Sequence, residues 1–469
     1  MSELGISAAG AGRQLGIDDL LPELLTGVFA HLDFETRCDV IPLVCKKWHK
    51  FTQGPSIMWE TVVIEPVITA SPRAARPTTR NRAILRWLKS RATSVQELRL
   101  RLFDYKNHDF RPGDFVEIFK MVGENLRALH VLKCGEMLAE DGFVSMSVLK
   151  RLNTLSIRNW DQENRVDLES LEKLTCLSNL TSLTLEMDID GFPECLVKLP
   201  LLEEIMLQKC RNVVVPPSVS KLTRLKTLAM VECGMQTLSE SVCGLKGLEV
   251  LNLGMNELGQ KEGLPLGLSA LSRVKQLGLC CNEYDAVPEI ISSLTSLEVL
   301  WLSGNRFSMP DEAFQSLGNL WKLCELHLSC CRLTSVPRGV CDLTSLTELN
   351  LAGNRLSMLP EGLSNLSRLR ELDLHRNNFL VAPPVLARMH SLRRLNLLQN
   401  SIVYDKNTVA LAYLPELEEL NLPGCGDNWT WSRGGWSTRS FRYFAELVCK
   451  LSSCTRTTRT QPNPTRSKN

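Results

Sequence analysis

Long apolar runs are missing from this chain of 469 residues. No stretch approaches the roughly 20 apolar residues that a bilayer-spanning helix needs. The first twenty residues hold no basic segment followed by an apolar core, so no secretory signal is expected. Charge of one sign is also missing: 54 Lys and Arg stand against 52 Asp and Glu, a net +2. That balance offers no general field for nucleic acid or an anionic membrane. The mononucleotide loop G-x-x-x-x-G-K-[ST], the metalloprotease H-E-x-x-H, the nucleophile elbow G-x-S-x-G and the glycine-rich dinucleotide loop do not occur. Seven histidines are scattered along the chain. These absences predict a soluble, intracellular, non-catalytic protein with no cofactor and no metal.

Cysteine is not scarce, with 17 residues. A secreted disulfide framework would be one reading, but the positions favour another. Cys134, Cys210, Cys233, Cys331 and Cys425 fall where other repeats of the chain carry Asn, and there each reads as a small buried group with a weak donor. Cys280-Cys281 and Cys330-Cys331 lack the paired C-x-x-C spacing of a zinc site. Asn179-Leu180-Thr181, Asn365-Leu366-Ser367 and Asn428-Trp429-Thr430 have the form of glycosylation triplets, which carry little meaning without a secretory signal.

What the chain does have is repetition. Leu346, Leu349, Leu351, Asn354 and Leu356 recur as Leu369, Leu372, Leu374, Asn377 and Phe379, 23 residues later. The spacing L-x-x-L-x-L-x-x-N-x-L is the signature of a leucine-rich repeat. Alternate leucines put one face of a short strand inward. The Asn amide answers backbone groups that the turn would otherwise bury unpaired. No repeat buries its own face; stacking does that. First leucine-type positions at Val95, Leu126, Leu152, Leu180, Leu202, Leu225, Leu248, Val274, Leu297, Leu323, Leu346, Leu369, Leu392 and Leu417 predict fourteen strands. The first steps are long, and from Leu202 the period settles near 23. Turns at Val287-Pro288, Val336-Pro337 and Leu359-Pro360 resemble the intracellular Ras-regulator type of repeat. The expected fold class is α/β: a leucine-rich-repeat solenoid with a curved parallel sheet on its concave side and a helical or irregular convex side.

Ahead of the repeats the character differs. Asp18-Asp19 opens a helix, with Pro22 at a permitted first-turn position. Leu24, Leu25, Val28, Phe29 and Leu32 follow at helical spacing, and Val40, Ile41, Leu43, Val44 and Trp48 form a second cluster. Leu21-Pro22-Glu23-Leu24-Leu25, Val28-Phe29-Ala30-His31-Leu32, Val44-Cys45-Lys46-Lys47-Trp48 and Met58-Trp59 closely resemble the F-box in residue type and order. The resemblance implies a small all-α module that docks on the Skp adaptor of a cullin–RING ubiquitin ligase. It nominates Leu21, Pro22, Leu24, Leu25, Val28, Phe29, Val44, Cys45 and Trp48 for adaptor binding or the fold behind it. Pro42 interrupts the second helix. A helical cap for the solenoid is the plain alternative.

The expected organisation is a disordered lead-in at 1–17, the F-box at 18–60, a basic linker and lead-in helix at 61–93, the solenoid at 95–425, a C-terminal cap at 426–451 and a disordered basic tail at 452–469. Within the linker, Arg73, Arg76, Arg80 and Arg82 are locally basic, and Ala83–Leu88 reads as a short amphipathic helix.

Binding in such a fold falls to outward strand positions, because the leucines form the core. The position between the paired leucines gives the column Arg99, His130, Ser156, Thr184, Met206, Ala229, Asn252, Gly278, Trp301, His327, Asn350, Asp373, Asn396 and Asn421. Trp301 reads as an exposed aromatic anchor. With His327, Asn350, Asp373, His375 and Arg376 it forms a candidate substrate-binding patch, its neighbours Glu325, Glu348 and Glu371 making the surface mixed in charge. Arg99, Arg101 and Arg158 form a second candidate, for an acidic or phosphorylated peptide. The resemblance implies a substrate receptor that binds the Skp adaptor, through it cullin, and a protein substrate. A scaffold for a small GTPase or phosphatase, and a small-molecule-gated receptor like the plant hormone-sensing F-box proteins, are the alternatives.

Overall fold

The structure, a computed structural model, describes residues 60–64, 85, 87–101, 112–132, 140–158, 165–260, 263–307, 311, 314–423 and 429–432. The F-box segment, apart from Glu60, lies outside them, as do the lead-in, most of the terminal cap and the tail. The chain divides into two compact units, one of residues 1–164 and 173–180 and one of residues 165–172 and 181–469.

In the first unit four strands run parallel: β1 (Thr61–Ile64), β2 (Glu97–Arg101), β3 (Ala128–Leu132) and β4 (Thr154–Arg158). Register aligns Val62 with Leu98, Leu129 and Leu155, and Ile64 with Leu100, Val131 and Ile157, all of them buried. The segment read as linker thus begins with a strand, and the strand expected to come first is second. Thr-Val-Val-Ile is β-branched throughout, and its alternate residues Val62 and Ile64 turn inward. Residues 85 and 87–91 are helical, as part of the expected lead-in helix, with Leu88 buried and the Arg91 guanidinium 5.0 Å from the Trp87 ring. The long step from Val95 to Leu126 leaves room for a full helix, α1 (Pro112–Val122). It buries Phe115, Ile118, Phe119 and Val122, the i, i+3, i+4, i+7 face of an amphipathic helix. A shorter one, α2 (Glu140–Ser145), places Phe143 in the core.

The second unit contains β5 (Ser182–Glu186), β6 (Glu204–Gln208), β7 (Thr227–Val231), β8 (Val250–Asn252), β9 (Gln276–Gly278), β10 (Val299–Trp301), β11 (Glu325–His327), β12 (Glu348–Asn350), β13 (Glu371–Asp373), β14 (Arg394–Asn396), β15 (Glu419–Leu422) and β16 (Trp429–Ser432). β5 to β15 pair in sequence order and in parallel, whereas β16 pairs antiparallel with β15. The strands from β2 to β15 stand two residues after the fourteen leucine-type positions read from the sequence. A 23-residue step holds only a short return, a 3₁₀ turn in most repeats and the four-residue α-helical turn Arg338–Cys341 in one. Pro288, Pro337 and Pro360 cap three of these returns, as the Leu-Pro pattern predicts.

Where β7 to β14 end, a side chain reaches across repeats. Asn354 Oδ1 accepts from the backbone N–H of Cys331 and Leu333, both at 3.0 Å, while its Nδ2 donates to Leu328 O and Leu351 O. Asn256, Asn282, Asn305, Asn377 and Asn400 bond in the same way. Cys233 and Cys331 fill the slot as expected, fully buried, each thiol donating to two carbonyls. Cys210 is buried too; Cys134 and Cys425 lie outside the described residues. Burial pushes the Cys331 thiol up to about 12, which keeps it protonated.

The residue just before this slot is left-handed in successive repeats: Lys209, Glu232, Met255, Cys281, Gly304, Cys330, Gly353, Arg376 and Gln399 all have positive φ. Only two are glycine. A side chain there costs roughly 1–2 kcal/mol, against about 0.5–1 kcal/mol for the extra chain entropy of glycine. Gln399→Gly, at an exposed position with φ 52°, is therefore expected to stabilise the protein by about 0.5 kcal/mol in thermal unfolding. A lower melting temperature would show that position 399 carries no strain.

Candidate functional site

The outward face of the sheet is built by the residues between the leucines. In the second unit, strand register sets Trp301, His327, Asn350 and Asp373 side by side on β10 to β13. Four of the six residues proposed for the substrate patch thus form one row.

Trp301 differs from the expected exposed anchor. It is half-buried, and its ring stacks on His327 with centroids 6.1 Å apart and planes 24° apart. Neighbouring strands lie about 4.8 Å apart, close enough for two flat rings in one row to lean together. Val299, two residues back on the same face, is also buried. The His327 side chain is 18% exposed, and its Nε2 lies 3.9 Å from both Glu325 Oε2 and Glu348 Oε1.

Asn350 and Asp373 carry a structural duty that the sequence reading missed. Asn350 Oδ1 accepts from Ala352 N at 3.0 Å, and Asp373 Oδ1 accepts from His375 N at 3.0 Å. Asn252 and Asn396 do the same for Gly254 N and Leu398 N. Each answers the backbone N–H two residues on, where the strand gives way to the turn. The recurrence of Asn or Asp between the paired leucines was the available signal. His375 is drawn in as well, its Nδ1 being 2.9 Å from Asp373 Oδ1. Arg376 occupies the left-handed position at the strand exit and is exposed, so it lies beyond the row.

The proposed basic patch belongs to the first unit. Its three arginines are not equivalent. Arg99 Nε is 2.6 Å from Glu97 Oε1, a carboxylate that also receives Thr61 Oγ1 at 3.1 Å and stands 3.5 Å from His130 Nε2. Arg101 and Arg158 share a register row with Leu132 between them, two strands apart and so roughly 10 Å from each other. Burial holds the His130 pKa below its ordinary value, Glu97 opposing this and Arg99 and Arg158 adding to it. Arg101 and Arg158 therefore stand in one row two strands apart, while Arg99 is tied to Glu97. The adaptor-binding candidates Leu21, Pro22, Leu24, Leu25, Val28, Phe29, Val44, Cys45 and Trp48 all lie outside the described residues.

Comparison with known proteins bears on the repeats. Family models described as leucine rich repeat match residues 296–317 and 322–379. No curated protein matches the chain. Among solved structures, a leucine-rich-repeat protein of Leptospira interrogans is 22% identical, with 72% of this chain and 93% of that chain covered and a TM-score of 0.50. An internalin of Listeria monocytogenes is 20% identical, with 72% and 92% covered and a TM-score of 0.50. The Toll–Spatzle complex of Drosophila gives 20% identity and a TM-score of 0.54 over 77% of this chain and 46% of that one. Leucine-rich repeats are present, and the fold is a leucine-rich-repeat solenoid fold.

Proposed function

We propose that the chain is the substrate-recognition subunit of a Skp–cullin–F-box ubiquitin ligase, a non-catalytic adaptor of the cytoplasm or nucleus. The observation that carries this reading is the ordered run Leu21-Pro22-Glu23-Leu24-Leu25, Val28-Phe29, Val44-Cys45 and Trp48, set ahead of a repeat fold whose outward strand row holds Trp301 and His327. The N-terminal module holds the Skp adaptor and the repeat face holds a protein substrate. Joining the two sites in one chain raises the effective concentration of substrate near the transferase, which partner subunits supply. A fold neighbour, Toll, was solved in complex with Spatzle, which accords with a macromolecular occupant for such a face.

Co-expression of the chain with the Skp adaptor, beside Leu21→Ala/Pro22→Ala/Phe29→Ala, tests the adaptor half. The native chain is expected to retain the adaptor through affinity capture, and the variant to lose it while keeping the circular dichroism of the repeats. Should neither chain retain the adaptor while both are folded, the N-terminal segment is a solenoid cap. A signalling scaffold that binds a small GTPase or phosphatase then becomes the function.

A further inference from the structure

Glu325 and Glu348 stand directly opposite each other on β11 and β12. Like charges in that relation repel, and on an exposed face a cation normally relieves them. Other carboxylates of the sheet do have a cation at hand. Glu97 has Arg99 at 2.6 Å, Glu186 has Lys209 at 3.0 Å, and Glu371, next in the same column, has Arg394. Glu325 and Glu348, whose side chains are 41% and 36% exposed, have only the shared His327 imidazole at 3.9 Å among the described residues. Beside the two carboxylates, on the same outward face, the Trp301 indole stacks on His327. A flat ring pair held by its own stacking and two carboxylates without a permanent cation thus adjoin on three neighbouring strands.

We infer that this part of the outward face, on β10 to β12, binds an arginine side chain of a basic segment in a partner protein. A guanidinium group is planar, so it lies over the outward side of the Trp301–His327 ring pair while its N–H groups donate to Glu325 and Glu348. A lysine ammonium answers the charge but has no plane to stack and no fork to span two carboxylates. Discrimination between the two cations is therefore the mark of the site. The inference rests on the reading of this face as the partner-binding surface and names the chemistry that it recognises.

The test is fluorescence anisotropy of labelled hexa-arginine, hexa-lysine and hexa-glutamate peptides titrated with the full chain. Hexa-arginine is expected to bind about tenfold more tightly than hexa-lysine, with no binding of hexa-glutamate. Glu325→Gln/Glu348→Gln keeps size and shape, and is expected to weaken hexa-arginine binding at least roughly tenfold. Trp301→Ala is expected to erase the preference for arginine over lysine. The inference is overturned by undetectable binding of hexa-arginine, by equal binding to the native chain and the double Gln variant, or by preferred binding of hexa-glutamate. The adaptor pull-down uses none of these residues. Failure here with the adaptor retained removes the arginine site alone, whereas loss of the adaptor with arginine binding intact removes the ligase reading alone.

Discussion

Asn305→Ala is expected to lower the unfolding free energy of the repeat unit by about 4 kcal/mol, because four buried backbone groups lose their partners at once. Asn305 is 1% exposed. Its Oδ1 accepts from Asn282 N and Tyr284 N, both at 3.1 Å, and its Nδ2 donates to Leu279 O at 2.9 Å and Leu302 O at 2.7 Å. Alanine reaches none of these, and the cavity it leaves is lined by backbone, so each group bears much of its own desolvation cost. The chain supplies the milder comparison itself. Cys331, in the same slot one repeat later, keeps two donations to Leu302 O and Ser329 O. Asn305→Cys is therefore expected to cost about half as much as Asn305→Ala. Urea unfolding measures both, and amide hydrogen exchange locates the damage: Asn282 and Tyr284 should lose protection first. A loss below about 1 kcal/mol for the alanine variant would mean that water replaces the amide at no cost, and the ladder would not be holding the repeats together.

Gly259→Ala comes next, at about 3 kcal/mol, through steric conflict rather than lost hydrogen bonding. A Cβ at Gly259 would lie 2.6 Å from Asn282 O, Glu283 C and Tyr284 N, all backbone of the following repeat. No rotamer change relieves a clash with main chain, so the two repeats must part. Gly259 N also donates to Asn282 O at 2.9 Å, and Asn282 Oδ1 accepts from Leu258 N. Separation therefore strains the neighbouring rung of the ladder. Adding Gly259→Ala to Asn282→Ala should consequently cost less than the sum of the single changes, since both disrupt one junction. A nearly neutral Gly259→Ala in thermal unfolding would mean that this close approach relaxes freely. Strict additivity would show that the clash and the rung are independent.

The strands were legible because their signal is local. A leucine every second residue, followed by Asn or Cys three positions on, marks Leu349, Leu351 and Asn354 as readily as Leu228, Met230 and Cys233, without reference to any other repeat. β1 escaped this reading. Thr61–Ile64 lacks the leucines and the Asn slot, and it is a strand because Val62 and Ile64 fit beside Leu98 and Leu100, which follow 36 residues later. The outward column was legible for the same reason of period, but its chemistry was not. That Asn350 and Asp373 each hold a backbone N–H depends on the turn two residues on. That Arg99 is neutralised depends on Glu97, a residue in plain view whose direction was not.

Sequence by itself determined the repeat, its period, the buried face and the column in which Trp301 and His327 stand. These follow from short-range spacing, and hydrophobic burial is indifferent to which particular leucine packs on which. Tertiary structure alone decided that Trp301 lies against His327 and is half-buried, that Glu325 and Glu348 meet without a permanent cation among the described residues while Glu371 has Arg394, and that Gly259 admits no side chain. Charge pairing, ring stacking and close backbone approach are settled over a few ångströms between residues that the chain keeps 20 or more positions apart, so only the stacking of one repeat on the next fixes them.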